Sequence, residues 1–385
     1  MAPPALLGWR GARLACGALA CAMPLATADA VPGTIYQNDH NPLLQEFKLR
    51  GRYHGQFWSV VADQGEESDW EDRRSRFGFS AKFLQKSIEL RADFKSNDGF
   101  RDAYDGLVDA FLRWTPRPGI AVSLGKMTPR IAQHDWVESS NTQATFETSH
   151  GFNQLGVERA TGLVVDGSRG ELSWRCGLHS NDTPPNTQGS GAWGEGEFGD
   201  LQGGFSTTLG GGYDFKHALH FNKAALFIDW LHSEREPGDR VLAKFDDILS
   251  ATWIVQHDRA GCVLEGFHAS GGDSGNGRIA GFYLLPTYEL VPARLELVAR
   301  YTFSAGRGDE SLSAQRRYEQ AAPEITPAGR ARGDRYHALY LGLQYFIHGD
   351  QLKLMAGTEY ARLAGGAVAD DYQGLTFLTG IRCSF

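Results

Sequence analysis

The sequence lacks the features that mark three large classes of protein. After residue 30, no segment approaches the ~20 consecutive apolar residues that a membrane-spanning helix needs, which excludes a helical membrane protein. Cysteine is scarce, and Cys176, Cys262 and Cys383, the three that follow residue 30, are too widely spaced for a disulfide framework or a zinc site. The formal net charge is −8, and an acidic chain of this kind is not expected to bind nucleic acid.

Glycine and aromatic residues, by contrast, are plentiful. The chain contains 47 glycines, 11% of its residues are aromatic, and short runs rich in Phe, Tyr, Leu and Val are interrupted by Gly, Asp and Asn. Because aromatic and β-branched residues favour strands and the interrupting residues favour turns, this composition indicates an all-β chain. At 385 residues, the chain has the length of two soluble domains or of one large barrel.

The first thirty residues have the pattern of a secretory signal peptide. Arg10 and Arg13 precede an apolar stretch at residues 14–25, and small residues then offer cleavage sites after Ala28 or Ala30. We therefore predict an exported protein.

The stretch Arg73–Lys95 shows the clearest periodicity. From Phe77 to Phe83 the odd positions are apolar and the even positions are polar or small, and the alternation resumes at Ile88 after a tight connection at residues 84–86. This is the pattern of two strands that form a hairpin with one apolar and one charged face. A soluble sandwich would bury the apolar face, whereas a membrane barrel would turn it toward lipid and leave the charged face in water.

Sixteen such runs occur between Phe47 and Phe385, and the connections between them alternate in length. Short connections such as residues 166–170 take turns with long polar ones such as residues 305–335, and residues 63–72 are predicted to form an acidic loop. A soluble sandwich has no reason for this alternation. We predict an all-β, transmembrane, antiparallel up-and-down barrel of about 16 strands, with short periplasmic turns and long external loops.

The end of the chain agrees with this prediction. Leu375 and the alternate residues up to the terminal Phe385 form an apolar face, and such an ending resembles the assembly signal of bacterial outer-membrane barrels. The predicted organisation is a signal peptide at residues 1–28, a periplasmic arm at residues 29–46 and a transmembrane barrel at residues 47–385.

The face opposite the lipid is rich in cations over the first four strands. Cations on the wall of a water-filled tube concentrate anions, and rings of Arg or Lys are a common means of anion selection. A second interpretation is that these residues brace the wall by pairing with Glu89, Asp93 and Asp109. The predicted inward cations are Lys48, Arg50, Arg52, Arg74, Arg76, Lys82, Arg91, Lys95 and Arg113. Strict alternation puts Arg73 on the lipid side, so it must lie near the membrane edge or follow a bulge that turns it inward.

One connection, Met127–Phe152, is too long for a hairpin turn and shows no sustained alternation. We expect it to fold into the lumen and narrow it; the alternative is a loop on the rim or at a protomer contact. Trp136 in this segment, together with Trp114, Trp174, Trp193, Trp230 and Tyr288, is predicted to belong to the aromatic belts at the membrane interfaces; the alternative is that some of these residues face the lumen.

With these residues in view, the chain resembles the phosphate-selective porin O/P family of Gram-negative outer membranes. The residues that carry the resemblance are "RRSRFGFSAKFLQKSIELRADF" from Arg73, "YDGLVDAFLRWTPRPGIAVSLGK" from Tyr104 and "VESSNTQATFE" from Val137, which is similar to the family's third loop. The resemblance implies a sixteen-stranded homotrimeric barrel for passive diffusion of anions, without catalysis or a cofactor.

The resemblance also implies pore residues. Arg73, Arg74 and Asp109 match the family pattern, but Asn141 stands where the family has a Lys after paired serines, and Thr148 stands where an Arg follows the loop glutamate. Cations for phosphate would then have to come from elsewhere, such as Lys126 or Arg130.

We predict an outer-membrane porin for small hydrophilic solutes, biased toward phosphate-like anions, with the lipid bilayer and two further copies of the chain as its partners. One alternative is a barrel enzyme of lipase or protease type, for which "GGDSGNG" at residues 271–277 with His268 is the weak candidate. Another is a structural barrel with a plugged lumen. His217 and His220 have no third ligand nearby, so no metal site is predicted.

Overall fold

A computed structural model describes residues 33–96, 98–100, 102–181, 198, 203–234, 242–272, 277–307, 311–315, 319, 331–365 and 371–385. The predicted signal peptide at residues 1–28 lies outside the described residues.

Sixteen antiparallel strands form one closed sheet, as predicted. Each strand pairs with its neighbours in the chain, and the last strand, Tyr372–Ser384, pairs with the first long strand, Leu44–Ala62, which closes the barrel. A short strand, β1, lies in the predicted arm and pairs with residues 46–48 at the start of that long strand. In chain order the strands are β1 Thr34–Gln37, β2 Leu44–Ala62, β3 Gly65–Phe83, β4 Ile88–Lys95, β5 Gly106–Arg117, β6 Ile120–Met127, β7 Ala160–Arg169, β8 Leu172–Ser180, β9 Phe205–Asp214, β10 Lys223–Ser233, β11 Asp247–His257, β12 Ala260–Ser270, β13 Arg278–Val291, β14 Leu295–Gly306, β15 Leu312–Ser313, β16 Arg332–Gly333, β17 Arg335–His348, β18 Leu352–Ala364 and β19 Tyr372–Ser384. Of these, β2–β14 and β17–β19 form the barrel.

The helices are short and lie in the connections. They are a 3-10 turn at Asp98–Phe100, a π-helical turn at Gln133–Val137, α1 at His150–Leu155 and α2 at Lys216–Leu219. No helix within the described ranges is long and apolar enough to cross a membrane.

Turns and longer loops lie at opposite ends of the barrel. The end that carries the start of β2 and Phe385 has the connections 84–87, 118–119, 170–171, 215–222, 258–259, 292–294 and 349–351. At the other end the strands are joined through residues 63–64, 96–105, 128–159, 181–204, 234–246, 271–277, 307–334 and 365–371, parts of which lie outside the described residues. We refer to them as the turn end and the loop end.

The predicted acidic loop at residues 63–72 was wrong. β2 and β3 continue as a hairpin of 19 residues each, joined by residues 63 and 64 alone. Apolar partners in β2 support the extension, because Phe57 pairs with Trp70 and Val61 with Glu66. At the loop end, acidic side chains can project into water from a strand as well as from a loop. The acidic composition of residues 63–72 therefore did not distinguish a strand from a loop.

Exposure alternates along the strands as a lipid-facing barrel requires. In β17, Leu339, Leu341 and Leu343 are 57%, 52% and 41% exposed, whereas the intervening Ala338 and Tyr340 are 3% and 2% exposed. In β3, Phe77 is exposed on the outer surface and Arg74 and Arg76 point inward among the lumen residues. The apolar face of the hairpin at Arg73–Lys95 is therefore the outer face of the barrel.

The lumen is not uniformly polar. Segment 128–159, the connection between β6 and β7, packs Ile131, Phe152 and Leu155 into an apolar core with inward residues of β10–β14 and β17–β19, such as Leu231 and Ile248. The core also includes Trp58 and Val60 of β2. A polar cavity remains between segment 128–159 and the wall made by β2–β6.

Candidate functional site

A cavity of about 460 Å³ lies between segment 128–159 and the inner wall of β2–β6. On one side it is lined by inward residues of the strands, and on the other by residues 135–141 of the segment. Eight arginines line it: Arg50, Arg52, Arg74, Arg76, Arg91, Arg113, Arg130 and Arg159.

Five of these arginines are paired with carboxylates. Asp93 accepts from Arg50 at 3.1 Å and from Arg91, and Asp109 lies 3.1 Å from Arg159 and 3.6 Å from Arg91. Asp93 and Asp109 are themselves opposite each other on β4 and β5. These ion pairs link neighbouring strands of the wall. They agree with the second interpretation of the inward cations, in which arginines pair with Asp93 and Asp109.

Asp166 on β7 forms a further pair with two more arginines of the cavity. It lies 3.1 Å from Arg113 and 3.9 Å from Arg130. Burial is the main cause that lowers the pKa of Arg130, and the charge of Asp166 opposes that effect. Lys126, the other suggested substitute cation, is 7% exposed and is not among the residues that line the cavity.

Arg52, Arg74 and Arg76 differ from the rest because no carboxylate among the described residues pairs with them. Arg52 and Arg76 are direct cross-strand partners on β2 and β3, and Arg74 is opposite His54. Arg52 donates to the hydroxyls of Ser140 at 2.8 Å and Ser139 at 3.1 Å. The Nη1 atom of Arg74 is buried with no hydrogen-bond partner in the part of the chain described. We call these three residues the arginine triplet.

A β-bulge positions Arg73 differently from its neighbour. The β2–β3 register shifts between His54 and Gly55, which pair with Arg74 and Asp72, so Arg73 is the extra residue. The side chain consequently turns inward, and its Nε and Nη2 atoms lie 2.5 and 2.6 Å from the two carboxylate oxygens of Glu147. Of the two alternatives for Arg73, the bulge is the one observed.

Two further arginines hold segment 128–159 from the other side of the lumen. Arg382 on β19 donates to the carbonyl oxygens of residues 140, 143, 145 and 146 at 2.7–3.0 Å. Arg300 on β14 donates to the Glu147 carbonyl at 2.7 Å and to the Glu359 carboxylate at 3.0 Å. The alternation in β19 predicts that Arg382 faces inward. The sequence does not predict that segment 128–159 passes beside it, because that segment has no periodicity.

Trp136 was wrongly predicted to lie in an interfacial belt. It belongs to the π-helical turn inside the lumen, where its ring lies between Phe152, 5.1 Å away, and the Arg159 guanidinium, 5.1 Å from the ring centre. The predicted belt residues Trp114, Trp174, Trp230 and Tyr288 are exposed on the outside of the barrel, and Trp193 lies outside the described residues.

Residues of the other predicted chemistries were also located where possible. His268 lies exposed on β12, and residues 273–276 of "GGDSGNG" lie outside the described residues. Within the described ranges, no group of three or more His, Cys, Asp or Glu residues could hold a metal ion.

The comparisons with known proteins agree with this geometry. Residues 47–224 match the family model described as phosphate-selective porin O and P. Over these residues the chain is similar to this family. No curated protein sequence matches the porin.

Several solved porin structures share the fold. An anion-selective porin from Comamonas acidovorans is 12% identical, with 88% of this chain and 99% of that chain covered and a TM-score of 0.60. OprB of Pseudomonas putida is 10% identical over 88% and 94% of the two chains, with a TM-score of 0.61. OmpF of Salmonella typhi is 13% identical over 91% and 100%, with a TM-score of 0.60. The sixteen-stranded barrel is thus the fold of this porin, and the family indicates a channel of the outer membrane.

Proposed function

We propose that this porin admits small hydrophilic solutes by passive diffusion and favours anions, phosphate-like anions among them. The arginine triplet is the observation that carries the proposal. Like charges directly opposite on neighbouring strands, as Arg52 and Arg76 are, destabilise a sheet unless a counter-charge lies close. Asp93 and Asp109 offset the charges of Arg52 and Arg76 in part, but none of the described carboxylates forms an ion pair with the triplet, so a mobile anion in the cavity supplies the remaining counter-charge.

The surroundings of the triplet suit transient binding of an anion. Guanidinium groups donate to phosphate or carboxylate oxygens in bidentate fashion, and the segment opposite contributes Ser139, Ser140 and Asn141 to the cavity lining. The five paired arginines share three carboxylates, so this group also remains positively charged and adds a polar path along the wall. Hydroxyl and amide groups hold an anion more weakly than the cations of the family pattern, so passage rather than tight retention is favoured.

The comparisons with known proteins also support a preference for anions. The family model describes phosphate-selective porins, and one porin of similar fold is described as anion-selective. The proposal also includes a homotrimer and a channel without catalysis or a cofactor, which rest on the family pattern, and export by the signal peptide at residues 1–28, which rests on the sequence of that segment.

The test is the reversal potential in a salt gradient across a planar bilayer. We expect the wild-type porin to be anion-selective, and the triple variant R52A/R74A/R76A to lose about fivefold in its anion-to-cation permeability ratio, equivalent to about 1 kcal/mol. R169A, which removes an exposed cation at the turn end, is the matched control and should leave the ratio unchanged. A cation-selective wild type, or a triple variant with the wild-type ratio, would contradict the proposal.

A further inference from the structure

The outer surface of β13–β18 carries a group of cations at the loop end that the channel does not use. Arg278 on β13, Arg335 on β17 and Arg362 on β18 are exposed and share the outward face of their strands with the lipid-facing apolar residues. His337, also exposed, pairs across the strands with Arg362. We call Arg278, Arg335 and Arg362 the rim arginines.

The strand register brings the rim arginines together. Arg335 pairs with Ala364, so Arg362 is its diagonal neighbour, about 7–8 Å away in an antiparallel pair. Ala280 pairs with Ala305, which pairs with Arg335, so Arg278 lies two strands from Arg335 and one step nearer the loops. Three strand spacings, roughly 14 Å, and four residues along the strands, roughly 13 Å, separate Arg278 from Arg362, which places their Cα atoms roughly 19 Å apart. The group therefore has the dimensions of a headgroup rather than of a single ion.

Directly below the rim arginines, the surface becomes aromatic and then aliphatic. Phe282, Tyr301 and Tyr360 are 39%, 38% and 42% exposed, and Leu339 and Leu341 continue the outer face of β17. Tyr301 hydrogen-bonds to His337 at 2.8 Å, which joins the aromatic row to the cationic one. Aromatic side chains of this kind mark the boundary between hydrocarbon and headgroups. The rim arginines consequently lie at headgroup level, with acyl chains below them.

Little negative charge opposes the group. Asp334 lies 3.2 Å from Arg335, and among the described residues no carboxylate pairs with Arg278 or Arg362. Exposed guanidiniums beside an apolar wall complement a ligand that carries phosphate at one end and hydrocarbon at the other.

We propose that the rim arginines form a binding site for the phosphate groups of an acylated lipid in the outer leaflet. Arg278, Arg335 and Arg362 donate to the phosphate oxygens, and the acyl chains lie along Phe282, Tyr301 and the leucines of β17. The site is distinct from the channel and does not depend on which solute passes through it.

The test is native mass spectrometry of the purified, folded porin mixed with a phosphorylated, acylated glycolipid or with the same glycolipid after phosphatase treatment. We expect the wild type to retain the phosphorylated lipid, and R278A/R335A/R362A to retain about tenfold less, equivalent to about 1.4 kcal/mol. R278K/R335K/R362K should retain an intermediate amount, because an ammonium keeps the charge but not the bidentate geometry.

The matched control is R169A/R259A/R294A, which removes three exposed arginines from the turn end and should bind as the wild type does. Heat-modified electrophoretic mobility and unchanged conductance establish that each variant is folded. Equal retention by the two triple-alanine variants, or equal retention of the phosphatase-treated lipid, would overturn the proposal. So would a wild type that retains no lipid while R278A/R335A/R362A dissociates into monomers, because the surface would then bind a second copy of the chain.

Discussion

Arg73 and Glu147 form a bidentate ion pair between the barrel wall and the segment that packs inside the lumen. Both side chains are largely buried, at 18% and 5% exposure, and their heavy atoms are 2.5 and 2.6 Å apart. The pair assigns Arg73 a different role from Arg74, although the two residues are adjacent in sequence. Arg73 positions segment 128–159, whereas Arg74 remains available to the cavity.

We expect Glu147→Gln to loosen segment 128–159 without unfolding the barrel. The substitution removes one charge of a buried ion pair, a change that typically costs about 3–5 kcal/mol locally. The expected result in single-channel recordings is a larger and noisier conductance. The double variant Arg73→Met/Glu147→Gln should have less conductance noise than Glu147→Gln alone, since both charges of the pair are then absent. A quiet, wild-type conductance in Glu147→Gln alone would show that the pair does not hold the segment.

Arg382→Lys should also release the segment, at the opposite wall. A guanidinium reaches four carbonyl oxygens at once, with Nη1 and Nη2 each serving two, and an ammonium lacks that planar geometry. We expect faster cleavage within residues 138–148 by an added protease than in the wild type, by about tenfold. Arg169→Lys, at the turn end, is the control. Equal cleavage rates in the two variants would exclude Arg382 as an anchor.

Alternation was sufficient to predict the barrel, because lipid and water select opposite residue types on the two faces of each strand. Its failures occur where another constraint applies. At Arg73 a single extra residue reverses the face; the sequence allowed this bulge as one of two alternatives but could not choose between them, because an arginine near the membrane edge is acceptable on either face. The prediction of a loop at residues 63–72 failed because acidic side chains are equally well solvated on a strand and on a loop at this end of the barrel.

The lumen was less predictable than the wall. Leu231 and Ile248 face inward, but apolar side chains there resemble those that face lipid, and nothing local indicates that segment 128–159 covers them. The roles of Arg300 and Arg382 likewise depend on the path of a segment without periodicity. The arginine-rich face of β2–β5 was predictable. The pairing of its members was not, because it depends on Arg159, at the end of segment 128–159, and on Asp166, on the strand that follows.

Asp109→Asn is expected to increase the preference for anions. Asp109 compensates Arg159 at 3.1 Å and lies 3.6 Å from Arg91, which keeps its closer partner Asp93, so its neutralisation makes the Arg159 guanidinium available to the cavity. We expect the anion-to-cation permeability ratio to rise about fivefold, the converse of the change in R52A/R74A/R76A. Asp214→Asn, which removes the same charge at the turn end, should not change the ratio. A lower ratio in Asp109→Asn would mean that Asp109 acts by orienting the arginines rather than by cancelling their charge.

His150 makes the docking of segment 128–159 dependent on pH. It lies in α1, where burial lowers its pKa to about 4, against a small opposing effect from its hydrogen bond to the Ser313 carbonyl. The ring Nε2 lies 2.8 Å from that carbonyl and Nδ1 lies 3.3 Å from the Ser304 hydroxyl, and burial of the ring in the docked segment favours its neutral form.

The sign of the pH effect follows from this lowered pKa. In an undocked segment the ring would titrate near 6.5, so between pH 6.5 and about 4 the undocked state binds more protons than the docked one. The contribution to docking is complete above pH 6.5 and declines as the pH falls to about 4, by up to about 3 kcal/mol. We expect conductance noise and protease cleavage of the segment to rise over this range in the wild type. In His150→Gln, whose amide does not titrate, both should vary less with pH; an unchanged pH profile would show that another group, such as His134, controls the docking.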